Sequence, residues 1–319
     1  MNFNWVMEMK RYLVLCFLVV GFGSLVRPAS ADKLRWKFAV GDEYKVNLEQ
    51  STNMSTVVTK IARNKIDVFL KMGAEMDWKV LSLQPNGNAV IEQSYTRMHV
   101  QVEKGTKEKL AYDTASEKDP DRNAKHFADV YDKLIGIKFK VEMSDRGEIV
   151  AVVLENDDIE TIRSIPESME ARKLFEKRGL VEILNGGGFV LPEEDIEAGH
   201  EWPVTKTQKL SFGTAIFESV FTYQGKKENS EVASIKLKAT AKLTDVPKDP
   251  IEKPLELKSQ NQTGTIEFDP LNGFVRSIQL EQNMETVKPF REMTIQTNSR
   301  VNSIFRLEKT SKSPSDSPK

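Results

Sequence analysis

The chain has 319 residues, with 46 Lys and Arg against 47 Asp and Glu, and so a formal net charge of −1. Such a balance gives no electrostatic reason to expect a nucleic acid or an anionic membrane surface as a partner. Cys16 is the single cysteine, so the chain cannot form an internal disulfide. Its length is sufficient for one large domain or two small ones.

Residues 1–31 have the three parts of a cleavable secretory signal peptide. Lys10-Arg11 is a short basic segment, residues 12–26 are almost entirely apolar, and Ala29-Ser30-Ala31 has the small side chains that a signal peptidase accepts. The apolar run is shorter than the roughly 20 residues of a membrane-spanning helix. We therefore expect cleavage after Ala31 and a location outside the cytoplasm, either periplasmic or secreted.

Cys16 lies inside this apolar run and would be removed with it. Because Leu15 precedes the cysteine and the run continues beyond it, lipidation is not expected. Met9 stands directly before Lys10-Arg11 and is an alternative to Met1 as the start of the protein. An exported chain without cysteines is more typical of bacteria than of secreted animal domains, which often use disulfides.

After residue 32, most of the chain alternates apolar and polar residues with a period of two. This pattern is typical of antiparallel strands with one dry and one solvated face. A shift of phase at Leu81 and Leu83 predicts a β-bulge. We therefore predict a mainly β fold with a few helices, built from curved antiparallel sheets. The clearest alternating segments are residues 44–48, 76–80, 98–102, 137–143, 235–243, 266–268, 278–280 and 293–295.

Helices are predicted near the middle of the chain. Apolar residues at i, i+3, i+4 and i+7 indicate an amphipathic helix over residues 123–135. A second helix is predicted to begin at Asp157, with Glu160 completing a capping box. A third is predicted over residues 166–184, and Gly186-Gly187-Gly188 ends it, since glycine readily takes the left-handed cap geometry.

Two short patterns occur twice, in the same order. Gly41-Asp42-Glu43-Tyr44-Lys45-Val46 recurs as Gly199-His200-Glu201-Trp202-Pro203-Val204, and the glycine, glutamate, aromatic and valine positions agree. Residues 147–155 and 273–281 share a glycine followed by the same spacing of apolar residues and a glutamate. We predict an internal duplication, and chance similarity between alternating strands is the alternative.

The duplication divides the chain into two related β modules, residues 32–155 and 196–308, the first of which includes one helix. Residues 156–195 form a helical connector between them. Residues 309–319 consist mainly of Ser, Pro and Lys, which cannot bury enough apolar area to offset the entropy lost on ordering. This last segment is predicted to be a disordered tail.

No motif in the sequence has the full residue spacing of a known catalytic or metal-binding signature. No histidine has a second one at metal-ligand spacing. Asp119, Asp121 and Asn123 match the first ligands of a calcium loop, but the glycine and glutamate that such a loop needs later are missing. We therefore predict no catalytic residue, no metal ligand and no cofactor. The three histidines are His99, His126 and His200.

Three tryptophans are candidate platforms for a carbohydrate. Trp36, Trp78 and Trp202 stand at positions that the alternation assigns to the core. Because a buried ring cannot stack on a ligand at the surface, core packing is the favoured interpretation.

Four segments resemble an uncharacterised family of exported bacterial proteins, of the kind abundant in planctomycetes. The resemblance covers most of residues 38–300 and implies export and a β fold, but no activity. The segments are Gly41-Asp42-Glu43-Tyr44, Gly87-Asn88-Ala89 with Gln93-Ser94-Tyr95-Thr96-Arg97, Leu110-Ala111-Tyr112-Asp113-Thr114, and Gly199-His200-Glu201-Trp202.

Three functions are compatible with these features. The favoured hypothesis is a non-enzymatic binding or carrier module, in which curved sheets and the central helices enclose a groove for an apolar small molecule or a lipid. The alternatives are an extracytoplasmic hydrolase that uses carboxylates, and a structural envelope protein without a ligand. The sequence assigns neither a ligand nor an oligomeric state.

Overall fold

The computed structural model describes residues 31–59, 65–105, 108–116, 120, 122–165, 189–210, 213–226, 230–245, 255–290 and 292–310. In this part of the chain there are twelve β-strands and two α-helices. The predicted mainly β, antiparallel fold is confirmed. The strands are β1 (Glu43–Val58), β2 (Lys65–Leu83), β3 (Ala89–Lys104), β4 (Glu108–Asp113), β5 (Lys138–Met143), β6 (Ile149–Leu154), β7 (Glu201–Leu210), β8 (Gly213–Lys226), β9 (Ala233–Thr244), β10 (Glu256–Asp269), β11 (Phe274–Phe290) and β12 (Met293–Lys309), and the helices are α1 (Lys125–Leu134) and α2 (Asn156–Arg163).

The twelve strands form one open sheet. Neighbouring strands follow the order β6-β5-β3-β2-β1-β12-β11-β10-β9-β8-β7, and β4 pairs with the second half of β3. The first and last strands are neighbours at the centre, where β1 pairs antiparallel with β12 from Tyr44–Lys309 to Val58–Ile295. Two antiparallel meanders, β1 to β6 and β7 to β12, therefore share one sheet.

The regular pairing is interrupted where the sequence shifts phase. Val80 pairs with Ile91 whereas Ser82 pairs with Val90, so Leu81 is an extra residue on β2. The predicted β-bulge is confirmed. A bulge of this kind bends its strand and increases the local twist of the sheet.

One face of the sheet, which we call the inner face, forms the core. On β1 this face carries Tyr44 and Val46, which are each 2% exposed. Phe139 on β5 and Phe221 on β8 belong to the same buried cluster as these residues, although their strands lie towards opposite ends of the strand order. The sheet therefore curves around a shared core, whose burial is the main stabilising term of the fold.

The two edge strands line a common cleft. This cleft has a volume of about 540 Å³ and is lined by Ile149 at the start of β6 and by Trp202, Val204 and Lys206 on β7. Burial lowers the pKa of Lys206, because removal from water disfavours the charged ammonium. The curvature of the sheet thus brings its edges near each other without pairing them.

Two irregular segments, which precede β1 and β7, pack against the β5–β6 turn. Trp36 N–H donates to the Asp145 carbonyl oxygen at 2.7 Å, and Leu191 N–H donates to the Arg146 carbonyl oxygen at 3.0 Å. These bonds satisfy backbone groups that the curved sheet would otherwise bury without partners.

The two helices cover part of the inner face. Val130 on α1 and Ile162 on α2 belong to one buried cluster with Leu70 on β2 and Val100 on β3. The amphipathic helix predicted over residues 123–135 is confirmed. It begins two residues later and ends one residue earlier than predicted. Its apolar stripe packs against the sheet as its spacing indicates.

The predicted capping box of the second helix is wrong. Helix α2 begins at Asn156, Glu155 is its N-cap residue, and the side chain of Glu155 makes no capping hydrogen bond. Asp157 therefore lies inside the first turn, where a carboxylate stabilises the helix through its dipole. The predicted third helix and the glycine run that ends it lie outside the described residues. The predicted start of the disordered tail is wrong, because Lys309 belongs to β12 and Thr310 N–H donates to the Glu43 carbonyl oxygen at 2.9 Å. The rest of the tail, beyond residue 310, lies outside the described residues.

The two copies of the first repeated pattern have the same backbone contact. Gly41 N–H donates to the Val80 carbonyl oxygen at 2.9 Å, and Gly199 N–H donates to the Tyr223 carbonyl oxygen at 2.7 Å. Both acceptors lie on the second strand of their meander, and both glycines have positive φ angles, 90° and 93°, which glycine adopts without strain. The contact supports the proposed duplication, and the division into two modules stays a prediction.

Replacement of Phe268 by alanine tests the shared core. Phe268 is 0% exposed, so the cavity and the lost apolar burial should lower the free energy of unfolding by about 3–5 kcal/mol. Urea unfolding followed by tryptophan fluorescence measures this loss. Leu271→Ala is the control, since Leu271 is 68% exposed and its loss should change stability by no more than about 0.5 kcal/mol. Equal effects of the two substitutions would contradict the core assignment.

Candidate binding site

The residues that the sequence singled out for metal chemistry are not brought together. His99 lies on β3, His126 on α1, and His200 directly before β7. Within the described ranges there is no group of three or more His, Cys, Asp or Glu side chains that could hold a metal ion. Asn123 is described, whereas Asp119 and Asp121 lie outside the described residues.

The three tryptophans are part of the core, as predicted. Trp36, Trp78 and Trp202 are 8%, 9% and 6% exposed. Trp202 stacks on Phe221 with ring centroids 5.3 Å apart and donates its indole N–H to the Val190 carbonyl oxygen at 2.9 Å. Rings held in this way are not available as platforms for a carbohydrate.

The opposite face of the sheet, the outer face, carries a network of ion pairs. Glu49 on β1 accepts from Lys71 Nζ at 2.8 Å and from His99 Nε2 at 3.2 Å. Gly73 on β2 lies between His99 and Glu49, and a Cβ at Gly73 would be 2.5 Å from His99 Cε1. Glycine at this position therefore lets the imidazole lie across β2 and reach a carboxylate two strands away.

A second part of this network surrounds Arg97 on β3. Its guanidinium donates to Glu75 Oε1 at 2.9 Å and to both carboxylate oxygens of Asp113 at 3.0 and 2.6 Å. These bonds favour the ionised carboxylate and lower the pKa of Asp113 to about 2. Glu49 and Glu75 also line an open cleft of about 780 Å³ on the outer face, where each has a cationic partner.

The inner face holds a different surface, which we call the neutral polar band. It consists of eight uncharged polar side chains on four adjacent strands, each less than 9% exposed. Such side chains normally lie at the surface, and here they continue the strands whose other ends carry the apolar core. The band comprises Thr52 on β1, Gln260 and Gln262 on β10, Gln282 and Thr286 on β11, and Thr297, Ser299 and Ser303 on β12.

Gln262 is the most deeply buried residue of the band. It is 1% exposed, and it stands opposite Ala239 on β9 and Gln282 on β11. Neither its amide oxygen nor its amide nitrogen has a hydrogen-bond partner among the described residues. The hydroxyl oxygen of Ser299 is likewise without a partner in the described part of the chain. Buried groups of this kind are rare in proteins and call for a physical explanation.

An open cleft lies on the outer face, behind part of the band. Its volume is about 530 Å³, and most of its lining residues are outer-face neighbours of the band, among them Asp67, Glu285 and Arg300. On the inner face, Met54, Ser299 and Met284 stand side by side on neighbouring strands. The sheet itself therefore separates this cleft from the buried side chains of the band.

Sequence reasoning missed this band. On β10 the run Ser259-Gln260-Asn261-Gln262-Thr263 is polar on both faces, so alternation gives no signal of which side is buried. A recurrence of Gln, Ser and Thr at inner-face positions of paired strands becomes visible once the register of β10, β11 and β12 is known.

A family model matches residues 86–275, which is more than half of the chain, and its description is "Family of unknown function (DUF6263)". The chain belongs to this family. The prediction of an uncharacterised family is thereby confirmed, and its bacterial and exported character stays a prediction. No curated protein matches the chain.

Three solved structures are similar to parts of this DUF6263 chain at low identity. A structure on lipid–protein interactions in lipovitellin has 11% identity and a TM-score of 0.49, and the match covers 87% of this chain and 26% of lipovitellin. This chain thus spans about a quarter of that protein. The COG4313 outer membrane channel from Pseudomonas putida F1 has 7% identity and a TM-score of 0.19, and the match covers 89% of this chain and 100% of the channel. OccK7 (OpdD) from Pseudomonas aeruginosa has 7% identity and a TM-score of 0.23, and the match covers 86% of this chain and 100% of OccK7.

All three TM-scores are below 0.5, so these likenesses carry no argument about function. Neither α1 nor α2 has the length and hydropathy of a membrane-spanning helix.

Replacement of Asp113 by asparagine tests the outer-face network. The folded pKa of Asp113 is about 2, below the ordinary value of about 3.9. Its contribution to stability is therefore present above pH about 4 and is lost as the pH falls towards about 2. Asp113→Asn should lower the free energy of unfolding at pH 7 and reduce its loss between pH 4 and 2, measured by urea unfolding.

Asp129→Asn on α1 is the matched control, because Asp129 is an exposed aspartate outside the Arg97 network. The assignment is wrong if Asp113→Asn and wild type lose stability with the same slope between pH 4 and 2.

Proposed function

We propose that the protein is a non-enzymatic binding or carrier module for an apolar or lipid-like ligand, which it holds on the inner face of the curved sheet. The observation that carries the proposal is the neutral polar band, which is buried beside the apolar core on the inner face. We further propose, from the signal-like residues 1–31, that it acts outside the cytoplasm.

The inner face has the two kinds of surface that such a ligand needs. Along β12, Leu307 and Phe305 belong to or pack against the core, whereas Ser303 and Ser299 belong to the band. Burial of an acyl chain contributes about 0.8 kcal/mol per CH₂ group, and a few placed polar groups then fix its orientation. Met54 and Met284 on the inner face favour the same class of ligand, since flexible thioether side chains adapt to apolar molecules of varied shape.

The hydrolase alternative has less support. A carboxyl group that acts as a general acid needs a raised pKa, usually from burial in apolar surroundings. Glu49, Glu75 and Asp113 instead lie in ion pairs on the outer face, and the pKa of Asp113 is lowered. These side chains stabilise pairing between strands and have the geometry of a structural network.

Native mass spectrometry of the protein purified from its own host tests the binding function. We expect a non-covalent adduct on the wild-type protein that disappears under denaturing conditions. Ser299→Phe should reduce the adduct several-fold, because the larger side chain takes up space beside the other side chains of the band. Thr240→Phe is the control, since Thr240 is exposed on β9 and the adduct should remain.

A wild-type protein that carries no adduct, and that takes up none after incubation with a total lipid extract of the host, would contradict the carrier function and favour a structural envelope protein.

A further inference from the structure

The outer-face cleft of about 530 Å³ contains an aromatic ring, and we call it the Phe69 cleft. It is lined by six neighbouring strands, from Glu103 on β3 to Ser259 on β10. Phe69 on β2 belongs to none of the three buried apolar clusters of the described residues. Along β1, β2 and β12, which are described over their whole length, it is the one Phe, Tyr or Trp at an outer-face position. Single apolar residues are common on protein surfaces, so the neighbours of Phe69 decide what the ring is for.

The residues beside Phe69 are rich in side-chain amides. Phe69 pairs with Asn53 on β1, and Asn53 pairs with Arg300 on β12. Arg300 in turn pairs with Asn283 on β11, and Asn298 lies two residues before Arg300 on the same face. All five residues line the Phe69 cleft. Asn53 and Asn298 are exposed, so their amides, each with one acceptor oxygen and two N–H donors, are accessible to a ligand.

The ionised side chains of the cleft have partners within the chain. Glu285 accepts a hydrogen bond from Gln296 Nε2 at 2.9 Å, and the other three form ion pairs. An anionic group placed in this cleft would lose hydration without meeting a cation that is not already paired, which is unfavourable. The cleft is therefore suited to an uncharged ligand. The ion pairs are Lys65 with Asp67, Lys109 with Glu103, and Arg300 with Glu281, with N–O distances of 2.9, 2.6 and 2.9 Å.

An aromatic ring beside several amides matches the surface of a sugar. A pyranose ring has C–H groups on its faces and hydroxyl groups around its edge. The C–H groups can pack on the ring of Phe69, and the hydroxyl groups, which both donate and accept, can exchange hydrogen bonds with Asn53 and Asn298. A purely apolar ligand would instead cover these amides without offering them partners, which costs binding energy.

The width of the cleft sets the length of the ligand. Phe69 lies on β2 and Asn283 on β11, with β1 and β12 between them. Three strand spacings of about 4.8 Å place their backbones roughly 14 Å apart. A single sugar ring is too short to reach both residues, whereas an oligosaccharide of about three or four rings reaches across this distance.

We infer that the Phe69 cleft binds a neutral oligosaccharide, with one sugar ring stacked on Phe69 and adjoining hydroxyl groups held by Asn53 and Asn298. The sheet separates this site from the inner face, so the inference does not rest on the proposed function. It also gives the role of carbohydrate platform to a phenylalanine on the solvated face, since the three tryptophans considered for that role lie in the core.

Saturation-transfer difference NMR with full-length protein tests the class of ligand. The neutral probes are cellotetraose, maltotetraose, chitotetraose and β-1,4-mannotetraose, and the anionic probe is tetragalacturonate. We expect at least one neutral probe to bind at millimolar concentration. Tetragalacturonate should bind at least about tenfold more weakly than that probe, because its carboxylates would be desolvated beside cations that are already paired.

Two substitutions at Phe69 separate stacking from a structural role. Phe69→Leu keeps an apolar side chain without a ring and should weaken binding of that neutral probe about three- to tenfold. Phe69→Tyr keeps the ring and should bind within about twofold of wild type. Urea unfolding establishes that both variants are folded. Equal weakening of binding by the two substitutions would overturn the stacking role of Phe69.

Asn53→Ala tests the amides at an exposed position. It should weaken binding about two- to tenfold, as expected for the loss of a hydrogen bond. Asn47→Ala is the matched control, because Asn47 is on the same face of β1 but roughly 20 Å from Asn53 along the strand and does not line the Phe69 cleft. Its binding should equal that of wild type.

Binding of none of the four neutral probes, or equal binding of tetragalacturonate, would overturn the inference. Unchanged affinity in both Phe69→Leu and Asn53→Ala would also overturn it, because the sugar would then bind elsewhere. These results leave the inner-face carrier function untouched, since that function is tested by the adduct from the host.

Discussion

The pairing of β1 with β12 holds the two meanders in one sheet, and the rest of the structure depends on it. At the end of this pair, the buried carboxylate of Asp42 accepts from Lys309 Nζ at 2.8 Å and from the Ala39 N–H at 3.0 Å. Thr310 N–H then donates to the Glu43 carbonyl oxygen at 2.9 Å. Without this central pair, β1 and β12 would each be an exposed edge, and the core that spans both meanders would be divided. The shared core and the curvature around it are therefore consequences of one long-range contact.

Curvature also explains why a single sheet can have two dissimilar inner surfaces. The end of the sheet that holds Tyr44 and Phe221 is filled by aromatic and aliphatic side chains. Towards the other end, Gln262 and Ser299 occupy equivalent inward positions with amide and hydroxyl groups. An inner face with apolar and polar parts thus arises from one set of continuous strands.

Local patterns predicted the local structure well. Period-two alternation identified the strands, the phase shift at Leu81 identified a bulge, and the i, i+3, i+4, i+7 spacing identified α1. The partnership of β1 with β12 could not be predicted, because no local signal specifies which remote strand completes an edge. The neutral polar band and the contact of His99 with Glu49 across Gly73 could not be predicted either. Each depends on the register of strands whose pairing the sequence does not reveal. The start of α2 was misplaced because Glu155 is a weak N-cap residue.

The order of the strands has a consequence for the synthesis of the chain. β1 leaves the ribosome before the other eleven described strands and β12 after them, so the centre of this sheet stays incomplete until all twelve strands have been synthesised. During that time β1, with 16 residues, has an unpaired edge, which in a nascent chain invites pairing with other molecules. Residues 50–56 of this strand are Gln, Ser, Thr, Asn, Met, Ser and Thr. Aggregation-prone segments combine high β-propensity with high hydrophobicity, and Met54 is the one apolar residue between positions 50 and 56. The polar composition of this part of β1 therefore limits its association with other chains before β12 is available.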